Sequence, residues 1–128
     1  MNVSFVLDAS AVLAMIREEP GAEVVEAMLA DATISAINWS EVRAKLYDRG
    51  APVATVQAAL RDLRIRVVPF DRISAERAGD LRPLTRAAGL SFADRACLAC
   101  AAASNATAVT ADRAWAKLDV GVEVRLIR

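Results

Sequence analysis

The sequence predicts an α/β fold, a central parallel sheet of about five strands flanked by helices on both faces. Two observations lead to this class. Short apolar runs of the buried-strand type alternate with segments of helical periodicity, and neither repeats nor linkers interrupt them. Strands that alternate with helices favour a parallel sheet with right-handed connections. We therefore expect residues 1–128 to form one domain.

The first strand is predicted over Val3–Leu7, an apolar run that stops at Asp8. A helix follows to about Arg17, where the sequence Glu-Glu-Pro-Gly breaks it. Apolar residues at helical spacing then predict a second helix over Ala22–Ala30.

A second strand is predicted over Thr33–Ile37, followed by a helix over Trp39–Tyr47 that ends near Gly50. Proline suits the first turn of a helix, so the next helix is predicted over Pro52–Leu63. Arg66–Phe70 is the third predicted strand.

A helical pattern over Arg72–Ala88 contains Pro83, which should kink or split it, and Gly89 ends it. The remaining predicted elements are a helix over Ser91–Ser104, a strand over Thr107–Thr110, a short helix over Asp112–Leu118 and a strand over Val122–Ile127.

Composition narrows the class of protein. With 55% hydrophobic and 25% charged residues, the chain is expected to be globular rather than disordered. Its longest uncharged stretch, residues 96–111, is too short and too polar to span a bilayer. No basic segment precedes the first apolar run, so we expect no secretory signal, no membrane association and a cytoplasmic location.

Histidine is absent, which removes the commonest general base and the usual zinc ligand. Cys97 and Cys100 form a C-x-x-C within an alanine-rich helical pattern, without a second cysteine pair. We interpret them as small apolar thiols rather than a redox pair or half a zinc site. Any catalysis must therefore depend on acids, hydroxyls and arginines.

Four carboxylates share one local setting, because each follows a predicted strand or opens a predicted helix. The carboxyl ends of parallel strands meet at one edge of a sheet, so such residues can converge on one crevice. Converging carboxylates repel one another and need a cation, and Mg²⁺ or Mn²⁺ fits because both take oxygen ligands. The four acids are Asp8, Glu41, Asp94 and Asp112.

Each acid alone also has a purely structural explanation as a helix cap. The pairs Asn38–Glu41 and Ser91–Asp94 have the capping-box spacing, and the other two acids suit the N-cap position. Neutral capping residues are already present nearby, however, so caps alone do not require carboxylates. Taken together, the four acids favour a metal site.

Such a site suits phosphodiester hydrolysis, because a hard divalent ion activates water and stabilises the leaving oxygen. Ser10 and Thr110 lie beside two of the acids, where their hydroxyls can either orient a carboxylate or cap the backbone. Fourteen of the sixteen basic residues are arginine, and residues 42–95 hold eleven of the bases against six acids. This distribution indicates either a phosphate-binding face or a compositional bias towards arginine.

Four segments at characteristic spacing now point to a family: Phe5–Leu13, Ser35–Val42, Gly89–Asp94 and Thr107–Asp112. In these segments the sequence resembles the PIN-domain ribonucleases, and within them the VapC-type toxins of bacterial type II toxin–antitoxin pairs. The resemblance extends over essentially the whole chain. It implies a PIN fold and an endoribonuclease, with an acidic quartet holding one or two Mg²⁺ or Mn²⁺ ions.

In that quartet Asp8 and Asp94 would be the most direct ligands. The resemblance also implies a homodimer and a cognate antitoxin protein that wraps the toxin and blocks its site. An acidic centre repels RNA, so flanking basic residues are expected to contact RNA phosphates, although each also fits a solvated helix face. These residues are Arg43, Lys45, Arg95 and Arg113. Trp39 is expected mainly in the core, with RNA or the dimer partner as alternatives.

Two other functions fit parts of the pattern. A dehalogenase-like phosphatase would carry a second acid two residues after its nucleophilic aspartate, where this chain has Ser10. A catalytically inactive PIN-like module would bind RNA or a protein without cleaving anything. The complete quartet argues against this second alternative.

Overall fold

The computed structural model describes residues 4–128 and shows five strands in one sheet, in the order β3-β2-β1-β4-β5, with every pairing parallel. The predicted class and strand number are confirmed. Val3, in the predicted first strand, lies outside the described residues. The strands are β1 (Phe5–Leu7), β2 (Ala32–Ser35), β3 (Arg66–Val68), β4 (Thr107–Thr110) and β5 (Val124–Leu126).

Seven α-helices connect these strands in the described part of the chain, together with 3₁₀ helices over Leu29–Asp31 and Arg113–Lys117. No helix within residues 4–128 is both long enough and apolar enough to cross a membrane. The α-helices are α1 (Ala9–Ile16), α2 (Ala22–Met28), α3 (Ala36–Asp48), α4 (Val53–Leu63), α5 (Arg72–Asp80), α6 (Arg82–Thr85) and α7 (Phe92–Ser104).

The sheet separates two apolar clusters, which confirms that helices cover both faces. Successive residues of a strand point to opposite faces. Leu7 accordingly packs with buried residues of α1 to α4, while Val6 packs with buried residues of α7 and with the fully buried Trp115. The central strand β1 therefore reaches the candidate site with both of its faces buried.

The boundary between β2 and α3 differs from the prediction. Ser35, not a later residue, is the N-cap of α3, and its hydroxyl accepts a hydrogen bond from the N–H of Ile37 at 3.3 Å. Asn38 therefore lies inside the first turn of the helix, where it is buried. The predicted capping box between Asn38 and Glu41 is wrong, because Glu41 lies in the second turn.

As predicted, Pro83 splits the helical segment expected over Arg72–Ala88. Helix α5 ends at Asp80, and α6 carries this proline in its first turn. The edge strands β3 and β5 are shorter than predicted, at three residues each. The short helix predicted after β4 is a 3₁₀ helix.

Gly21 allows close packing between the start of α2 and the end of the chain. Its φ is +96°, and an added Cβ would lie 2.6 Å from the carbonyl oxygen of Ile127. We expect Gly21→Ala to lower the free energy of unfolding by about 2–4 kcal/mol, through backbone strain and the clash. Gly50 is the matched control, because its φ is +86° but nothing lies within 4 Å of an added Cβ. Urea unfolding that shows equal losses for the two variants would contradict the close approach at Gly21.

Candidate functional site

The carboxylate of Asp8 lies at the carboxyl end of β1, where it caps α1. Its Oδ1 accepts hydrogen bonds from the Ser10 hydroxyl at 2.7 Å and from the Ala11 N–H at 2.9 Å. Its Oδ2 accepts one from the Thr110 hydroxyl at 2.5 Å. The side chain is held from both β1 and β4, and the residue is only 5% exposed.

Burial raises the pKa of Asp8 to about 6, even though hydrogen bonds from Thr110 and Ser10 act in the opposite direction. The negative charge of Asp94 raises this pKa further. None of the ion pairs among the described residues involves Asp8. A buried carboxylate without a cationic partner is costly when ionised, so this position favours a bound cation.

The two hydroxyls predicted beside the acids form one network. The Ser10 Oγ accepts a hydrogen bond from the Ala111 N–H at 2.9 Å, and it lies 3.3 Å from the Thr110 Oγ1. The Thr110 Oγ1 in turn accepts one from the Asp112 N–H at 3.0 Å. The same hydroxyls thus orient the carboxylate of Asp8 and accept hydrogen bonds from the two backbone N–H groups that follow β4.

Asp94 opens α7 and forms the predicted capping box with Ser91. Its Oδ2 accepts a hydrogen bond from the Ser91 N–H at 2.9 Å, and its own N–H donates to the Ser91 hydroxyl at 3.2 Å. This arrangement fixes the half-buried side chain of Asp94. The other oxygen, Oδ1, has no hydrogen bond within residues 4–128 and remains available to a ligand.

The other two acids, Glu41 and Asp112, are both more exposed than Asp8. Glu41 is half-buried, and its Oε2 lies 3.7 Å from the Nζ of Lys45 one turn later. Asp112 is exposed and caps the 3₁₀ helix after β4, where its Oδ1 accepts a hydrogen bond from the Ala114 N–H at 2.9 Å. The Thr110 hydroxyl accepts from the backbone N–H of Asp112 and donates to the carboxylate of Asp8. Asp112 is therefore connected to Asp8 by its backbone and not by its carboxylate.

Cys97 is a buried thiol on α7, on the side of the sheet that faces Val6. Burial raises the pKa of its thiol well above the ordinary value, and the charges of Asp8, Cys100, Asp94 and Glu41 raise it further. Both cysteines are free thiols, Cys97 buried and Cys100 half-buried, in line with their interpretation as small apolar residues.

The donor chemistry of the site fits a hard divalent ion. The candidate ligands are carboxylate oxygens, and the most buried of them, on Asp8, has no cationic partner in the described part of the chain. However, no three His, Cys, Asp or Glu side chains between residues 4 and 128 are grouped closely enough to hold a metal. The quartet as a complete ligand set therefore stays a prediction.

The four basic residues expected near the acids have different surroundings. Arg95 donates from Nη1 to the Ala78 carbonyl at 3.0 Å, and its guanidinium lies 5.9 Å from the centre of the Phe92 ring. The hydrogen bond to Ala78 connects α7 to α5, while the ring contact lies within α7. Lys45 pairs with an acid of the quartet, as described above, whereas Arg43 is half-buried and Arg113 is exposed.

Asn38 makes a structural contact near the site, although its sequence pattern indicated only a helix cap. Its Nδ2 donates to the Ala93 carbonyl at 3.0 Å, which connects α3, the carrier of Glu41, to the start of α7. A signal for this role exists in the sequence. Once α3 begins at Ala36, this asparagine falls on the same buried stripe as Val42, four residues later. Neighbouring Trp39 packs against the larger core cluster, in agreement with its expected core position.

We expect Asn38→Ala to lower the free energy of unfolding by about 2 kcal/mol, since it removes a buried side chain and its bridging hydrogen bond. Any RNA cleavage should fall as well, because α3 and α7 carry two of the candidate acids. Ser40→Ala on the exposed face of α3 is the matched control. Thermal unfolding and RNA cleavage would be measured on both variants. Equal behaviour of the two would argue against a positioning role for Asn38.

Comparison with known proteins gives consistent results. The family model for the PIN domain matches residues 5–121. The toxin–antitoxin complex from Klebsiella pneumoniae is 21% identical, with a TM-score of 0.76 and coverage of 98% of both chains. VapBC2 from Rickettsia felis, bound to a promoter DNA fragment, is 19% identical over 95% of this chain and 97% of that one, with a TM-score of 0.75.

A third similar structure is VapC20 from Mycobacterium tuberculosis, described as a sarcin-ricin loop cleaving toxin. It is 18% identical over 91% of this chain and 97% of that one, with a TM-score of 0.71. At these identities the structures establish a shared fold. No curated protein matches the chain by sequence.

Proposed function

Since the chain belongs to the PIN-domain family, we propose that it is a Mg²⁺- or Mn²⁺-dependent endoribonuclease and the toxin of a toxin–antitoxin pair. The observation that carries this proposal is the carboxylate of Asp8, which is buried at the carboxyl edge of the sheet, held by two hydroxyls and without a cationic partner among residues 4–128. The toxin–antitoxin complexes among the similar structures support the biological role.

In the proposed mechanism Asp8 and Asp94 hold the metal most directly, with Glu41 and Asp112 completing the site. A divalent ion bound there would activate water and stabilise the leaving oxygen of the phosphodiester. Ser10 and Thr110 fix the Asp8 side chain, so little reorganisation is required for it to bind an ion. The backbone N–H of Ser91 fixes the Asp94 side chain in the same way.

The proposed partners follow from the same role. They are RNA as substrate, a cognate antitoxin that covers the site, and a second copy of the chain in a homodimer. The proposed location is the cytoplasm. Structures similar to this one include toxins solved together with an antitoxin, which supports the antitoxin as a partner.

Cleavage of RNA by the purified protein tests the proposal directly. We expect activity that depends on added Mg²⁺ or Mn²⁺ and disappears with EDTA. Sequencing the RNA ends after induced expression would identify the sites that are cut. Absence of cleavage with either metal, by protein shown to be folded, would overturn the proposal.

One observation favours a second function, a PIN-like module that binds RNA or protein without cleaving it. The candidate acids of the described residues do not form a compact metal-ligand group. Tight RNA binding without turnover, at all concentrations of both metals, would identify this alternative.

A further inference from the structure

A groove beside the candidate site contains three arginines that have no role in the proposed mechanism. Its volume is about 410 Å³, within the range of ligand-binding clefts. It lies between α1 and α3, close to the last residue of the chain. We call it the basic groove and define it by Ser10, Arg17, Lys45, Asp48, Arg49 and Arg128.

One end of the basic groove adjoins the candidate site. Ser10 lines the groove, and its hydroxyl donates to Asp8 at 2.7 Å. From Ser10, the wall formed by α1 extends two helical turns to Arg17, about 10 Å at the rise of an α-helix. On the opposite wall, Lys45 and Arg49 follow Glu41 at intervals of four residues, so they continue the same face of α3. A ligand that fills the groove therefore lies beside Ser10 and Lys45, the direct neighbours of Asp8 and Glu41.

The charge of the basic groove is opposite to that of the acidic site. Four basic side chains line it against two acidic ones, Glu19 and Asp48. Three of the basic side chains are arginines, whose planar guanidinium groups suit bidentate contact with phosphate. A negatively charged chain is therefore attracted to the groove even though the carboxylates beyond it repel such a chain.

Two of these arginines are held in place at the groove wall. Arg17 donates from Nη2 to the Lys45 carbonyl at 3.4 Å. Arg128 donates from Nη1 to the Pro20 carbonyl at 3.0 Å, and the same nitrogen lies 3.6 Å from Glu19. Each guanidinium has five N–H donors, so these interactions leave further donors for a ligand. Orientation before binding reduces the entropy cost of association.

We propose that the basic groove binds backbone phosphates of the single RNA strand whose phosphodiester lies at Asp8. This inference rests on the proposed nuclease function and identifies residues that position the substrate. RNA is favoured over an acidic segment of a protein because Ser10 belongs both to the groove and to the hydrogen bonds of Asp8, so the same strand can supply both the bound phosphates and the cleaved bond. Phosphate binding of this kind gives affinity without sequence preference.

Salt dependence of RNA binding tests the groove separately from catalysis. The affinity of a short, mixed-sequence, single-stranded RNA would be measured by fluorescence anisotropy in EDTA, across a series of KCl concentrations. For single strands, the slope of log K against log salt is about −0.7 for each phosphate that the protein neutralises. We expect Arg49→Gln with Arg128→Gln to reduce the magnitude of the slope by about 1.4. At ~0.1 M salt the affinity should fall roughly fivefold for each phosphate that the variant no longer binds.

The matched control is Arg61→Gln with Arg77→Gln, two exposed arginines on α4 and α5 outside the groove. It removes the same charge and should leave the slope unchanged. Asp48→Asn inside the groove should have the opposite effect and tighten RNA binding, which a folding defect could not imitate. If the protein cleaves RNA, the groove variant should raise KM and leave kcat close to the wild-type value.

The outcomes for the groove and for the nuclease are distinguishable. If the groove and control variants give equal slopes while the wild type still cleaves RNA, the groove proposal is wrong and the nuclease stands. If the groove variant loses RNA affinity but the wild type cleaves nothing, the proposed function fails and the groove remains an RNA-binding surface. A groove variant that loses affinity only for a co-expressed antitoxin would overturn the proposal in favour of a protein partner.

Discussion

Asp8→Asn and Asp94→Asn are each expected to lower kcat/KM for RNA cleavage by at least about 10²-fold. Removal of residues that only orient metal ligands already costs about 10–100-fold, and a direct ligand should cost more. Both substitutions preserve the shape of the side chain. A fall in activity would therefore reflect removal of the negative charge rather than a change in packing.

Hydrogen bonding around Asp8 allows this substitution without disruption. In Asp8→Asn, Oδ1 can still accept from Ser10 and Ala11, as it does in the wild type. The new Nδ2 can donate to the Thr110 Oγ1, whose own O–H can then turn from position 8 towards the Ser10 Oγ, 3.3 Å away. The variant should therefore keep its fold, and circular dichroism would verify this.

The control is Asp62→Asn, which removes an exposed carboxylate on α4, away from the site. Glu41→Gln and Asp112→Asn should have smaller effects than Asp8→Asn, because these residues complete the site rather than hold the metal most directly. Cleavage would be followed with Mg²⁺ and with Mn²⁺. Equal rates for the wild type, Asp8→Asn and Asp94→Asn would show that the acids are not catalytic.

Asp8→Asn is also expected to stabilise the metal-free protein at neutral pH, by up to about 3 kcal/mol. The folded state raises the pKa of Asp8 from 3.8 to about 6 because burial disfavours the ionised form. One pKa unit corresponds to about 1.4 kcal/mol, and the neutral amide avoids the cost of ionisation. A substitution that abolishes activity would then increase stability.

The direction of the pH dependence follows from the raised pKa. Between about pH 4 and 6 the unfolded chain releases this proton while the folded chain keeps it, so the contribution of Asp8 to stability falls as the pH rises through this window. Above about pH 6 Asp8 is ionised in both states, and the free-energy cost of its ionisation in the folded state no longer changes with pH. In Asp8→Asn this contribution to the pH dependence should be absent.

Urea unfolding in EDTA at pH 5 and at pH 7.5 would measure the difference between the wild type and Asp8→Asn. The difference in the free energy of unfolding between Asp8→Asn and the wild type should be larger at pH 7.5 than at pH 5. Asp62→Asn should behave like the wild type. Added Mg²⁺ or Mn²⁺ should stabilise the wild type and leave Asp8→Asn nearly unchanged, because only an ionised Asp8 binds the ion well. An Asp8→Asn variant less stable than the wild type at pH 7.5 would show that the ionised carboxylate is not destabilising.

Local signals predicted most of the fold. Proline at position 83 split a helix where expected, and Ser91 with Asp94 formed the expected capping box, because both features depend on a few neighbouring residues. The predicted boundary between β2 and α3 was wrong because Ser35 and Asn38 are both good N-cap residues. Local sequence could not decide between them, and Asn38 is instead buried against Ala93.

The sequence by itself determined the α/β class and the order of the elements and predicted the candidate acids, since periodicity, caps and motif spacing are local properties of the chain. Only the tertiary structure decided how these acids differ. Packing β1 beside β4 places Thr110 on Asp8 and buries that carboxylate, while Asp112 remains exposed. Burial, pKa and the basic groove arise from contacts between residues up to about a hundred positions apart, such as Ser10 and Ala111. Such contacts exist only once the chain is folded.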